Sequence, residues 1–143
     1  MVQTPSYFVY YNKTYRIDST PEGGLTGRLL DLATGEFKEE NRLIDTVLFN
    51  RKPEIDSVDE AEFVDQTEQE RMHYLRGEGT IFALYETIAG LYAQAKSEGR
   101  RVTPEELALI KSLRRRTYQL WEDEFARRAA GEPPTFQTTS TLS

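Results

Sequence analysis

The sequence contains no cysteine and only one histidine among its 143 residues. The absence of thiols excludes disulfides, thiolate metal sites, the usual iron–sulfur clusters and a cysteine nucleophile. Long apolar runs are also missing, because no stretch approaches the ~20 consecutive apolar residues that a membrane-spanning helix needs. The segment Met1–Ser6 lacks the basic and apolar blocks of a secretory signal. We therefore expect a cytoplasmic protein that does not associate with membranes.

What is present is enough apolar material for a packed core. Hydrophobic residues make up 38% of the chain and aromatic residues 11%, which is too rich for a disordered chain, whereas 29% of the residues are charged. A chain of this length is ordinarily one domain. We predict a single α+β domain over residues 1–131, with a sheet at about residues 6–38 and a helical part at about residues 58–130.

The β-forming residues lie in the first third of the chain. Aromatic and β-branched side chains are dense from Tyr7 to Ile17, and Asn12-Lys13 interrupts them at a position suited to a tight turn. Leu25–Leu32 follows a run of turn-forming residues and predicts one more strand. We therefore predict a small N-terminal antiparallel sheet of two or three strands.

The helical signals are strongest in the second half. Apolar residues recur at steps of three and four from Thr80 to Glu98, and Gly99 is placed to end that helix. Thr103 at the N-cap and Glu106 three residues later form a capping box that starts a second helix running to about Ala130. The short link between them predicts a long antiparallel helical hairpin.

Other segments give weaker signals. The apolar pattern of Asn41–Asn50 fits a helix or a strand, with a slight preference for a helix. Glu54–Glu62 reads as an acidic connection to a further helix that ends near Arg76. We expect Trp121 to be largely buried, because its indole is a large apolar group. Residues 132–143 are rich in Thr and Pro and carry too little apolar content to pack, so we predict a flexible tail.

Motifs for catalysis or metal binding are weak. Glu70 and His73 have the Glu-x-x-His spacing of di-iron bundles, but such sites need a second copy of the motif and the chain has one histidine. The glycine cluster Gly23–Gly27 lacks the Gly-Lys-Ser/Thr ending of a phosphate-binding loop, which makes a turn the better interpretation. We therefore predict no catalytic residues, no cofactor and no metal, and a protein that is not an enzyme.

The chain has a net charge of −6, and its charged residues are unevenly distributed along the sequence. Residues 36–70 hold 12 acidic and 4 basic residues, whereas residues 100–128 hold 8 basic and 5 acidic ones. The basic residues of the last helix predict a partner-binding surface, for which we select Lys111, Arg114, Arg115 and Arg116. Such a patch also fits a nucleic-acid-associated protein, but the pI of 4.9 makes nucleic acid an unlikely partner.

The aromatic strand provides a second candidate surface. Alternation along a strand sends Tyr7 and Tyr11 to one face, and Phe8 and Tyr10 to the other. A sheet covered by helices on both faces explains this pattern, and so do an exposed tyrosine surface for a protein partner and base stacking. We select these four residues as partner-binding. The overall hypothesis is a non-enzymatic protein-interaction, regulatory or adaptor module, with a homo-oligomer through the helical hairpin left open.

Overall fold

The computed structural model of the chain describes residues 3–49 and 52–142. The fold is α+β, and its strands are β1 (Ser6–Tyr10), β2 (Lys13–Ser19), β3 (Leu25–Leu30), β4 (Phe37–Glu39), β5 (Ile55–Val58), β6 (Leu75–Gly77) and β7 (Thr138–Ser140). A five-stranded antiparallel sheet has the order β4-β3-β2-β1-β5, and a separate two-stranded sheet joins β6 to β7. The α-helices are α1 (Ile44–Phe49), α2 (Glu60–Tyr74), α3 (Thr80–Ser97) and α4 (Pro104–Ala129).

The predicted two- or three-stranded sheet is wrong, because β4 and β5 add two edge strands. β4 is only three residues long and leaves little alternation to detect. β5 lies inside the segment that we read as an acidic connection, and it pairs with β1 in antiparallel register from Tyr7 opposite Val58 to Tyr10 opposite Ile55. Its two central residues, Asp56 and Ser57, are exposed, so the strand carries almost no apolar signal.

The sheet is covered on both faces. On one face, Phe8, Tyr15 and Ile17 pack with Val47 of α1 and with Ile55 in an apolar cluster. On the other face, α2 lies against β1 and β2. Asn41–Leu43 forms a 3-10 turn that leads into α1, so the preference for a helix in this segment is confirmed as far as Phe49, and Asn50 lies outside the described residues.

The prediction of a long helical hairpin is corrected by the position of α2. α4 packs against α2 as well as against α3, so the helical part is a three-helix group rather than a clear hairpin. The sequence did not indicate that α2 packs in the core, because several of its inward-facing side chains are polar. Thr67, Glu68 and Arg71 are all fully buried. A helix with a polar buried face gives no amphipathic pattern.

The predicted helix ends around Gly99 are confirmed. Gly99 follows the C-cap of α3 with a φ of 66°, a conformation that favours glycine. The Thr103 side chain accepts from the Glu106 backbone N–H, and the Glu106 carboxylate accepts from the Thr103 backbone N–H at 2.8 Å. The burial of Trp121 is confirmed as well, because its relative exposure is 0%.

The prediction that residues 132–143 do not pack is wrong for the described part of that segment. β7 pairs with β6 from Leu75 opposite Ser140 to Gly77 opposite Thr138. Phe136 packs against the apolar cluster formed by α3 and α4. One aromatic side chain and three paired residues therefore anchor a segment whose composition is mostly polar.

Among the described residues, no helix is both long and apolar enough to cross a bilayer.

Candidate protein-binding groove

A cavity of about 450 Å³ opens between the first two strands, α2 and α4. Its walls come from four parts of the chain that are distant in sequence, and they mix aromatic, apolar and charged side chains. The lining residues are Pro5, Tyr7, Arg16, Glu60, Val64, Arg115, Tyr118, Gln119 and Glu122. The cavity brings together one residue of the predicted aromatic surface, Tyr7, and one of the predicted basic surface, Arg115.

Strand register builds the floor of this cavity. Tyr7 on β1 lies opposite Arg16 on β2, and Arg16 lies opposite Arg28 on β3. Directly opposed residues share a face of an antiparallel sheet, so these three side chains form one row across it. The row lies on the face that α2 covers, because the Tyr7 ring lies 4.7 Å from the ring of Phe63.

Polar contacts hold the floor in place. The Tyr7 hydroxyl donates to Glu60 Oε2 at 2.9 Å. Arg16 donates two hydrogen bonds to the Asp18 carboxylate, both at 2.8 Å, and its guanidinium lies 5.6 Å from the centre of the Tyr7 ring. The hydrogen bonds to Asp18 raise the pKa of Arg16, so its charge is fixed. Burial, with the nearby Glu122 charge, raises the pKa of Tyr118 to about 12, which keeps this phenol neutral.

Two smaller concavities continue this cavity in both directions. One of about 360 Å³ shares Arg16 and Glu122 with it and adds Arg28, Glu36, Phe37, Phe125, Ala126 and Ala129. The other, of about 250 Å³, shares Val64 and Arg115 and adds Asp59, Ala61, Glu62, Asp65 and Lys111. Each neighbour shares two lining residues with the central cavity, so the three lie side by side, and we call them together the α4 groove. It follows α4 from Lys111 to Ala129, a length of ~27 Å at 1.5 Å per residue.

Charges of both signs line the α4 groove. Each of the three concavities contains at least two basic and two acidic side chains. Arg16 is already paired with Asp18. Lys111, Arg115 and Arg28 are exposed and form no ion pair within residues 3–49 and 52–142. These three cations are therefore available to a ligand, but each has carboxylates close by.

The predicted site residues divide into three groups. Tyr7, Lys111 and Arg115 line the α4 groove, whereas Arg116 is exposed on α4 but belongs to none of its three concavities. Tyr10 ends β1 and Tyr11 begins the turn after it, where Tyr11 is half-exposed and the two rings meet edge-on at 4.8 Å. These two tyrosines are not part of the groove.

Phe8 and Arg114, which were predicted to lie on the partner-binding surface, are buried instead. Phe8 belongs to the apolar cluster beneath α1 and is 4% exposed. Arg114 is 7% exposed, donates to Asp65 Oδ1 at 2.9 Å and so ties α4 to α2. Neither side chain is available to a partner. Sequence reasoning also missed Arg16, Glu60 and Glu122, because nothing in the local sequence shows that a strand and two helices converge there.

A second polar cluster lies in the interior, where α2, α3 and α4 meet. Arg71 donates to Glu68 Oε2 at 2.9 Å and twice to the Gly35 carbonyl, at 3.0 and 2.7 Å. Tyr85 donates to Glu68 Oε1 at 2.8 Å, and the Trp121 indole N–H donates to the Tyr85 hydroxyl at 2.9 Å. We call these four side chains and the Gly35 carbonyl the buried network.

The buried network is structural in character. Glu68 and Arg71 are both 0% exposed, and the Arg71 guanidinium is surrounded by aromatic rings, including that of Trp121 at 5.2 Å. Burial raises the pKa of Glu68 and that of Tyr85, while the Arg71 charge opposes both shifts. The cluster joins the loop after β3 to all three long helices, so it sets how the helices sit on the sheet.

The weaker motifs do not assemble into a site. His73 is exposed, and its ring meets the ring of Tyr74 edge-on at 4.7 Å. Across the described residues, no group of three Asp, Glu or His side chains is arranged to hold a metal ion. Gly27 lies inside β3, where a Cβ would stand 1.7 Å from the Tyr15 hydroxyl, so close packing explains this glycine.

Comparison with models of known protein families, with curated proteins and with solved structures found no match. The functional inference therefore depends on the geometry and charge of the α4 groove.

Proposed function

We propose that this chain is a cytoplasmic, non-enzymatic protein-interaction or regulatory module that holds a segment of a protein partner in the α4 groove. The observation that carries the proposal is that Tyr7 and Arg115 line the same cavity. Tyrosine and arginine dominate the energetically important positions of protein interfaces, especially beside apolar side chains that exclude water. Val64 and Tyr118 provide that apolar surface here.

The dimensions of the groove suit a polypeptide. A length of ~27 Å accommodates about eight residues of extended chain or five turns of a helix. The small side chains Ala126 and Ala129 at one end leave room beside the ring of Phe125 for an apolar side chain of the partner. The exposed cations Lys111 and Arg115 at the other end can pair with carboxylates of the partner.

The charge pattern favours a protein over a nucleic acid. A polyanion needs a row of cations, since its affinity comes from the number of phosphates that are neutralised. In the groove, Lys111 and Arg115 stand beside Asp59, Glu62 and Asp65, so a phosphate would meet carboxylates at the same place. Arg114 cannot contribute, because it is buried against Asp65. A zwitterionic surface suits a partner that itself carries both signs of charge.

Charge reversal in the groove provides the test. We expect the double variant Lys111→Glu/Arg115→Glu to recover about tenfold less of its partner than the parent in affinity capture from the native source, quantified by mass spectrometry. Arg116→Glu is the matched control, because Arg116 lies on the same helix but is turned ~100° from Arg115. Thermal melting of all three proteins checks that folding is intact.

Two results would contradict the proposal. Equal loss of the captured protein in Arg116→Glu and in the double variant would show that the effect is not specific to the groove. Submicromolar nucleic-acid binding near 150 mM salt, abolished by the double variant, would instead support the nucleic-acid alternative.

A further inference from the structure

The C-terminal segment Thr135–Leu142, which we call the strap, packs against α3 and α4 and lines none of the three concavities of the α4 groove. Its first contact is with Glu124, whose carboxylate is 1% exposed and accepts from both the backbone N–H and the hydroxyl of Thr135. Phe136 then places its ring 5.4 Å from that of Trp121 and 6.0 Å from that of Phe82.

The strap continues as a β-strand. β7 pairs with β6, after which the Ser140 hydroxyl donates to the Leu32 carbonyl and the Thr141 N–H donates to the Tyr74 carbonyl, both at 2.8 Å. Gly77 leaves room for the strap backbone on one side and for the Phe82 ring on the other, because a Cβ there would stand 2.7 Å from both the Gln137 carbonyl oxygen and Phe82 Cε2. These features together define a site for an extended peptide.

The strap fills this site incompletely. A cavity of about 240 Å³ remains between Thr135, Phe136 and the start of α3. The Thr138 hydroxyl is buried and has no hydrogen-bond partner among the described residues, which costs free energy. The strap therefore gains less from its contacts than a fully satisfied segment would.

The segment that links α4 to the strap, Ala130 to Pro134, is exposed. Gly131 has a φ of 95° and turns the chain back onto the helices. If Gly131 takes an extended conformation instead, Pro133 and Pro134 favour an extended link that carries the strap away from its own domain. A strap released in this way fits the same site on another molecule, as in domain swapping.

We propose that the strap site is an exchangeable peptide-binding site, and that its occupant in trans is the strap of a second copy of this chain. In one molecule the strap closes its own site. Between two molecules each strap closes the site of the other. The site is separate from the α4 groove, so this proposal does not depend on the function proposed above.

A synthetic peptide tests the site directly. The probe is the segment Glu132–Leu142 with a fluorophore at its N-terminus, added to full-length chains and followed by fluorescence anisotropy. The parent should bind it weakly, because its tethered strap competes at an effective concentration of about 1 mM. Phe136→Ala in the full-length chain weakens that competitor, so the peptide should bind at least about tenfold more tightly than to the parent.

Two controls make the binding specific. Gly77→Val combined with Phe136→Ala should abolish binding, because the added side chain stands where the strap backbone passes; since it also meets the Phe82 ring, circular dichroism and thermal melting must show that this chain is folded. A peptide that carries the Phe136→Ala change should fail on every chain. Thr135→Ala, which loses only the hydroxyl bond to Glu124, serves as a second receptor in case Phe136→Ala does not fold. No binding to either receptor up to about 1 mM peptide, or equal binding to the Gly77→Val chain, overturns the proposal.

Mixing two defective chains tests the second copy as the occupant. Phe136→Ala has an intact site and a defective strap, whereas Gly77→Val has an intact strap and an obstructed site. Sedimentation should detect a heterodimer in the mixture and a monomer in each variant alone. A mixture that stays monomeric at a protein concentration where the free peptide binds would show that a second copy is not the occupant.

Discussion

The two faces of the five-stranded sheet are stabilised by different chemistry. The face under α1 is closed mainly by apolar contacts from Phe8, Ile17, Val47 and Ile55, and two tyrosines, Tyr10 and Tyr15, also pack there. On the face under α2, Thr14 hydrogen-bonds to Thr67 of α2 at 2.7 Å, and the row of Tyr7, Arg16 and Arg28 opens into the α4 groove. Beyond that face, the helices are joined by the buried network.

This difference indicates that the apolar face under α1 contributes mainly to folding, whereas the polar face under α2 supports the proposed binding surface. Apolar contacts are non-directional, so they close a face without fixing contacts at particular atoms. Buried polar groups are stable only when each finds its partner, which fixes one arrangement of the helices on the sheet. Because the polar side is fixed in this way, its surface can hold an open groove with charged walls.

The largest effect is expected from breaking the buried network. Arg71→Met leaves Glu68 as an unpaired charge and removes both bonds to the Gly35 carbonyl, so we expect the free energy of unfolding to fall by about 4 kcal/mol. Urea denaturation of the parent and the variant measures this difference in the free energy of unfolding. The loss should be smaller at pH 5 than at pH 8. Burial raises the pKa of Glu68, so lowering the pH protonates more of this carboxyl in the folded variant and removes the unpaired charge.

Ile17→Ala is the matched change on the apolar face, where Ile17 is 0% exposed. It should cost about 3 kcal/mol by leaving a cavity, with no dependence on pH between 5 and 8. Arg16→Met, on the polar face but with 24% of its side chain exposed, should cost less than about 1 kcal/mol. If Arg71→Met costs no more than Arg16→Met, the buried network does not organise the helices.

The contrast also explains what could be read from the sequence. β-forming residues between turns identified β1 to β3, apolar periodicity identified α3, and the capping box identified the start of α4. These signals missed β5, whose central residues are Asp56 and Ser57, and they underestimated α2, whose buried side includes Glu68 and Arg71. Composition identified Tyr7, Lys111 and Arg115 as candidates for binding but could not distinguish them from the buried Phe8 and Arg114. Burial depends on tertiary contacts that no local pattern encodes.

A smaller effect is expected at the start of α4, which local sequence specifies by itself. Thr103→Ala removes the acceptor for the Glu106 N–H, so the free energy of unfolding should fall by about 1 kcal/mol. Thr103→Ser keeps the hydroxyl and should melt close to the parent. If Thr103→Ala and Thr103→Ser melt alike, the capping box contributes nothing beyond the remaining contacts of the helix.

The smallest effect is expected at the strap, where acid should release a segment without unfolding either face of the sheet. Burial acts to raise the pKa of Glu124, but hydrogen bonds from Thr135 and Arg128 outweigh it and lower the pKa to about 2 from an ordinary 4.5. A lowered carboxyl pKa gives stability that is fully present above pH 4.5 and is lost as the pH falls towards 2.

Trp121 is the only tryptophan in the chain and touches Phe136, so its fluorescence reports the position of the strap. We expect the emission to change between pH 4.5 and 2 while far-ultraviolet circular dichroism stays constant over the upper part of that range. Glu124→Gln cannot ionise, so its emission should already resemble the acid form at pH 7 and should vary less with pH. An acid transition of equal size in Glu124→Gln would assign it to other carboxylates, and the strap would then not depend on the Glu124 charge.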